Sequence, residues 1–165
     1  MEPTDDSLES LYNINKHAKK YAELGTENYR NGKKTTAKAN SNKKKALYAV
    51  KERVLATIAD SATQIEIHEI DGRRFYCLYF RDGEWSFHTP VEALSIDDNR
   101  VTACKELDAF EKTSEKEQSD QSLKESLLHL ETAFGVNANE HLPSKYLWYG
   151  SNRHFIGWPY LGDDD

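Results

Sequence analysis

The chain is short of almost every feature that marks a common enzyme or a membrane protein. Its two cysteines, Cys77 and Cys104, have no paired spacing. That excludes a disulfide framework and a cysteine-paired zinc finger, and the expected compartment is the cytoplasm. No apolar run approaches the ~20 residues needed to span a bilayer, so no membrane partner is expected. The N-terminus, Met1-Glu2-Pro3-Thr4-Asp5-Asp6, is acidic and lacks the apolar stretch of a signal peptide. There is no Gly-rich phosphate loop, no C-x-x-C, no H-E-x-x-H and no G-x-S-x-G. The usual nucleotide, redox, metalloprotease and serine-hydrolase signatures are thus missing. No cofactor is expected, and a binding protein is favoured over an enzyme.

What the chain does have is an uneven division of charge. The formal net charge is -6 over 165 residues. Residues 13–58 carry 12 Lys/Arg against 3 Asp/Glu, whereas residues 59–165 carry 10 against 21. The basic part concentrates between Arg30 and Arg53. Such a segment in an acidic protein points to a polyanion or to an acidic protein surface, including the acidic half of a second copy.

Apolar periodicity organises the rest. Leu8, Leu11, Ala18, Tyr21, Ala22, Gly25 and Tyr29 recur at helical steps. They predict a first helix that starts after Asp5 or Ser7 and stops at Asn31-Gly32. Residues 35–42 fit a loop or a solvated helical stretch. A second helix is predicted over about 43–62, with a stripe of Leu47, Val50, Val54 and Ile58. The two form either an antiparallel hairpin or a long bent arm. The period then becomes two. Gln64 to Ile70, a turn at Asp71-Gly72, Arg73 to Phe80, a turn at Asp82-Gly83, and Glu84 to His88 describe a three-stranded antiparallel meander. Val101 to Phe110 reads as a short helix and 111–121 as an exposed linker. A last helix carries Leu123, Leu127, Leu130 and Phe134 and stops at Gly135. The expected fold class is α+β: an N-terminal helical pair, an antiparallel sheet of three to five strands, and one or two additional helices. Residues 1–62 form the basic arm or hairpin and 63–165 the α+β body, within one folded unit. Six of the 18 aromatics lie between Tyr146 and Tyr160. They suit core packing of a terminal hairpin, turning at Gly150-Ser151-Asn152, better than stacking of bases.

Three groups of residues invite chemistry. Lys33, Lys34, Lys38, Lys43, Lys44 and Lys45 suit salt-sensitive phosphate contacts. Lysine gives point charges rather than bidentate base reading, so nucleic acid would be bound with little sequence preference. Lys51 falls inside the apolar arc of the second helix. It must snorkel, pair with a carboxylate or lose its charge, and snorkelling at the core edge is expected. Finally, two-residue turns place Ile65, Ile67, Tyr76, Leu78, Phe80, Trp85 and Phe87 on a core face. The opposite face then carries Glu66, His68, Phe75, Cys77, Tyr79, Ser86 and His88. Glu66, Cys77 and His88 share one row, with His68 diagonal to Cys77. Carboxylate, thiolate and imidazole are zinc ligand types, and a Cys77–His88 pair could also serve as nucleophile and base. His154 could join only through a tertiary approach. A one-residue slip would scatter the row, so binding by the basic segment leads, a charge-complementary assembly factor is the alternative, and a metal- or Cys/His-dependent enzyme comes third.

Two segments, Lys44-Lys45-Ala46-Leu47-Tyr48-Ala49-Val50-Lys51 and Ile67-His68-Glu69-Ile70-Asp71-Gly72-Arg73 with the following Phe75 and Trp85-Ser86-Phe87-His88-Thr89-Pro90, resemble short uncharacterised proteins of haloarchaea and of tailed viruses and proviruses. The resemblance covers about a third of the chain. It implies an accessory protein of a mobile element and carries no activity.

Overall fold

Thr4, Asp5 and Asp6 start the first helix. Ser7 N–H donates to Thr4 Oγ1 at 3.1 Å, and the two aspartates face the positive helix end. The cap is therefore Thr4 rather than Asp5 or Ser7. The computed structural model describes residues 2–106 and 120–141. Helix α1 (Asp5–Arg30) ends at Asn31-Gly32 as its sequence predicts, and α2 (Lys34–Ile58) follows at once. Residues 35–42 are thus helical, and the second helix begins and ends earlier than predicted. Small residues explain this. Ala37, Ala39 and Asn40 are buried, and a Cβ on Gly25 would lie 3.5 Å from Asn40 Cβ and 3.6 Å from the Ala37 carbonyl. Close approach of the two backbones replaces the large apolar side chains whose absence suggested a loop. The pair is a hairpin.

Strands β1 (Gln64–Ile70), β2 (Arg73–Phe80) and β3 (Trp85–Pro90) form the expected meander. Asp71 and Gly72 have φ of 51° and 78°, the left-handed pair that a two-residue hairpin needs. Ile70 opposes Arg73, Glu66 opposes Cys77, and Cys77 opposes His88, in the predicted register.

The predicted helix at 101–110 is corrected, because Val101–Glu106 is strand β4, parallel to β1. The sheet is mixed, in the order β3-β2-β1-β4, and not purely antiparallel. Local spacing suggested a helix. However, β1 has a second edge whose backbone groups need partners, and β4 supplies them. Arg100 anchors the start of β4 by donating to the Ala62 carbonyl at 3.0 Å and the Ala59 carbonyl at 3.5 Å. It brings a cation to the end of α2, whose own last turn has none.

Helix α3 (Asp120–Phe134) lies against α1 and stops at Gly135, as predicted. Leu8, Leu11, Ile14 and Ala18 of α1, Leu47, Val50, Val54 and Ile58 of α2, Leu123, Leu127 and Leu130 of α3, and Ile65, Tyr76, Leu78, Phe80 and Phe87 of the sheet share one core. Helix α1 is central. The Tyr12 ring meets Trp85 and Phe87 edge-on at 5.2 and 5.6 Å. Its opposite side meets α3 through polar rungs: Ser7 with His129, Asn13 with Ser126, and His17 with Ser122. The predicted terminal aromatic hairpin, His154 and residues 107–119 of the predicted helix and linker lie outside the described residues.

Candidate functional site

Strand alternation places the polar row where the sequence put it, but deeper than a solvent-facing sheet surface would allow. Glu66, His68 and Cys77 are buried to within 2% of full coverage, and His88 is half-buried. The residues are linked. His68 Nε2 lies 2.8 Å from Glu66 Oε1, and His68 Nδ1 lies 2.8 Å from His88 Nε2. Tyr79 donates to Glu66 Oε1 at 3.0 Å and Gln64 donates to Glu66 Oε2 at 2.6 Å. Both carboxylate oxygens are therefore acceptors, and the tautomers follow. His68 Nε2–H donates to Glu66, leaving His68 Nδ1 to accept from His88 Nε2–H. Burial, the Cys77 side chain and Glu66 together push the Tyr79 phenol above its ordinary range, so it remains a donor.

His88 connects this row to a cleft of about 430 Å³ where α1 and α2 meet the sheet rim. Asn15, Lys19, Tyr48, Lys51 and Glu52 line it from the helices, with Arg73, Phe75 and His88 from the strands. Lys51 does not snorkel. It is buried, donates to Asn15 Oδ1 at 2.9 Å, and sits 5.7 Å from the centre of the Tyr48 ring. Lys51 lies inside the apolar arc as its spacing predicts, and Asn15 on the facing helix provides a partner that no spacing rule reveals. Burial raises the Glu52 carboxyl above its ordinary value, opposed by Lys51, while Glu92 adds to the rise and Arg73 opposes it.

The basic residues lie elsewhere, at the far end of the hairpin. Lys33, Lys34, Lys38 and Lys45 are exposed and Lys44 is half-buried. Lys43 is 0% exposed and so is not a surface phosphate contact. Because α2 starts at Lys34, Lys43 falls on its inward face with Ala39, Ala46 and Leu47. A groove of about 530 Å³ runs between α1 and α2, lined by Tyr29, Arg30, Lys34, Lys38 and Lys44. No acidic residue lines it among the described residues. Tyr29 is 67% exposed, a surface aromatic that its helical spacing alone does not reveal.

The chain matches no family model, no curated protein and no solved structure with which it was compared. No helix among the described residues is long and apolar enough to cross a membrane.

Proposed function

We propose that this protein is a small binding protein that contacts nucleic acid through the tip of its helical hairpin, with little sequence preference. The groove between α1 and α2 carries the proposal. Arg30, Lys34, Lys38 and Lys44 converge there beside an exposed aromatic, Tyr29. Lysines supply counterion-releasing phosphate contacts, and a tyrosine face offers a surface on which any base can stack. The α2 N-terminus adds to the positive potential, since its first turn contains no acid and Lys33 provides no side-chain cap. Glu23 and Glu27 line an adjoining concavity that shares Ala22, Thr26 and Arg30 with the groove. The cytoplasm suits such a partner, and the resemblance to viral and proviral proteins would make this contact part of an accessory role in a mobile element.

A mobility or filter-binding titration with single- and double-stranded DNA and RNA at two salt concentrations tests the proposal. Binding should be present at low salt, fall steeply as salt rises, and disappear when Lys34, Lys38 and Lys44 are all changed to Glu. Absence of binding at low salt, or binding that survives the triple change, overturns it. In that case salt-sensitive self-association seen by sedimentation would favour the assembly-factor alternative.

A further inference from the structure

The sheet row has no part in nucleic-acid contact at the hairpin tip, and it has a chemistry of its own. We propose that His68, Cys77 and His88 form a site for a thiophilic divalent metal ion of the zinc class, with Glu66 as the residue that orients it.

Three donor atoms, one from each residue, lie within 4.8 Å of one another. Two imidazole nitrogens and a sulfur suit zinc and its neighbours and are poor ligands for magnesium or calcium. The decisive feature is the direction of His68. Glu66 accepts from His68 Nε2–H at 2.8 Å, which leaves the Nδ1 lone pair facing His88 and the space between them and Cys77. A carboxylate behind a histidine in this way fixes both ring and tautomer for metal ligation. Glu66 is itself held at both oxygens, by Gln64 and by Tyr79. It is thus a positioning residue rather than a ligand.

Strand pairing supplies the precision. Glu66 opposes Cys77 and Cys77 opposes His88 across three adjacent strands, so the donors sit on hydrogen-bonded backbone rather than on loops. Metal entry requires little movement. Tetrahedral zinc places two nitrogen ligands ~3.3 Å apart and nitrogen and sulfur ~3.6 Å apart, against 2.8 Å between the facing nitrogens and at most 4.8 Å within the trio. The two rings open slightly and the thiol closes in. His88 gives up its Nε2 proton and takes one at Nδ1, and Cys77 loses its thiol proton to solvent, so loading releases one proton. Three protein ligands leave a fourth position for water or a small ligand. His88 also lines the cleft, which gives the ion a route in.

Full-length protein stripped with a chelator and titrated with Zn²⁺ or Co²⁺ tests the site. One ion should bind per chain, and the cobalt form should show a thiolate-to-metal charge-transfer band that Cys77→Ser removes. Glu66→Gln should weaken binding about 10- to 100-fold. Zinc, unlike magnesium, should also raise the melting temperature of the wild-type protein, a readout that requires no variant to fold. The proposal is overturned by no saturable binding at one ion per chain, by a cobalt spectrum without the thiolate band, or by an unchanged melting temperature with zinc.

Discussion

Lys51 and Asn15 meet in the buried seam between α2 and α1, the ammonium donating to the amide oxygen at 2.9 Å. The ammonium sits 5.7 Å from the Tyr48 ring centre, at the wall of the cleft. Asn15→Ala would leave the buried ammonium without this acceptor. Urea denaturation should show a loss of about 2 kcal/mol, the usual cost of removing a hydrogen bond to a buried charge. A loss below measurement error would mean that Lys51 is held by other contacts.

His17 gives the fold a specific acid sensitivity. Burial first, then Lys20 and Lys16, lower its pKa from 6.5 to about 4, so it is neutral in the folded protein at pH 7. The unfolded chain takes up the proton near pH 6.5, whereas the folded chain resists until about pH 4. Stability should therefore fall as pH drops through that window, by about 3 kcal/mol in total. His129 bonds Ser7 in the same helical interface, whereas His68 and His88 lie in the sheet row. The difference between wild type and His17→Gln isolates the His17 contribution. Parallel pH–stability curves for the two proteins would contradict it.

At the hairpin tip, charge and stacking should separate. Lys34→Ala and Lys38→Ala should each reduce the slope of log affinity against log salt by about 1. Tyr29→Ala should weaken binding at every salt concentration with the slope unchanged. Lys43→Ala should act on thermal stability, because that side chain is buried. Salt titrations of the four variants beside wild type, with a melting curve for Lys43→Ala, check all three statements.

The register of the polar row depends on its first turn. Gly72 has φ of +78°, which costs a residue with a Cβ about 1–2 kcal/mol. Gly72→Val should lower stability by that amount. The same change should weaken metal binding although residue 72 is no ligand. An unchanged unfolding midpoint would show that the turn is not held in the observed conformation.

Gly25 separates propensity from packing. A Cβ there meets Asn40 Cβ at 3.5 Å, an ordinary contact, so Gly25→Ala should be neutral or stabilise the helix by up to about 1 kcal/mol. Gly25→Leu extends a longer side chain from that contact into the groove between the helices, should destabilise by about 1–3 kcal/mol, and should weaken binding at the tip. Equal stability of the Ala and Leu variants would show that the helices separate easily.

Much of the fold was legible because the relevant signals are local. The apolar steps of α1 and α3, the stops at Asn31-Gly32 and Gly135, and the Asp71-Gly72 turn each depend on a few neighbouring residues. The sheet register follows from the turns, which is why the row of Glu66, Cys77 and His88 is legible in the sequence. The first turns of α2 were ambiguous because alanine and asparagine show no apolar stripe, and only the facing Gly25 shows that they are close-packed. Strand β4 is not legible locally because its conformation is set by the open edge of β1, some forty residues away in sequence.

Sequence alone determined the division of charge, the hairpin register and the residue types on each sheet face, since all three follow from composition and from a period of two. Tertiary structure decided which charges remain outside. It buried Lys43 and Lys51, left Lys33, Lys34, Lys38 and Lys45 at the surface, and turned His68 between Glu66 and His88. The reason is that burial and side-chain direction depend on the partner that each element meets across the chain. Asn15 and Gly25 on α1, and Gln64 and Tyr79 around Glu66, are such partners.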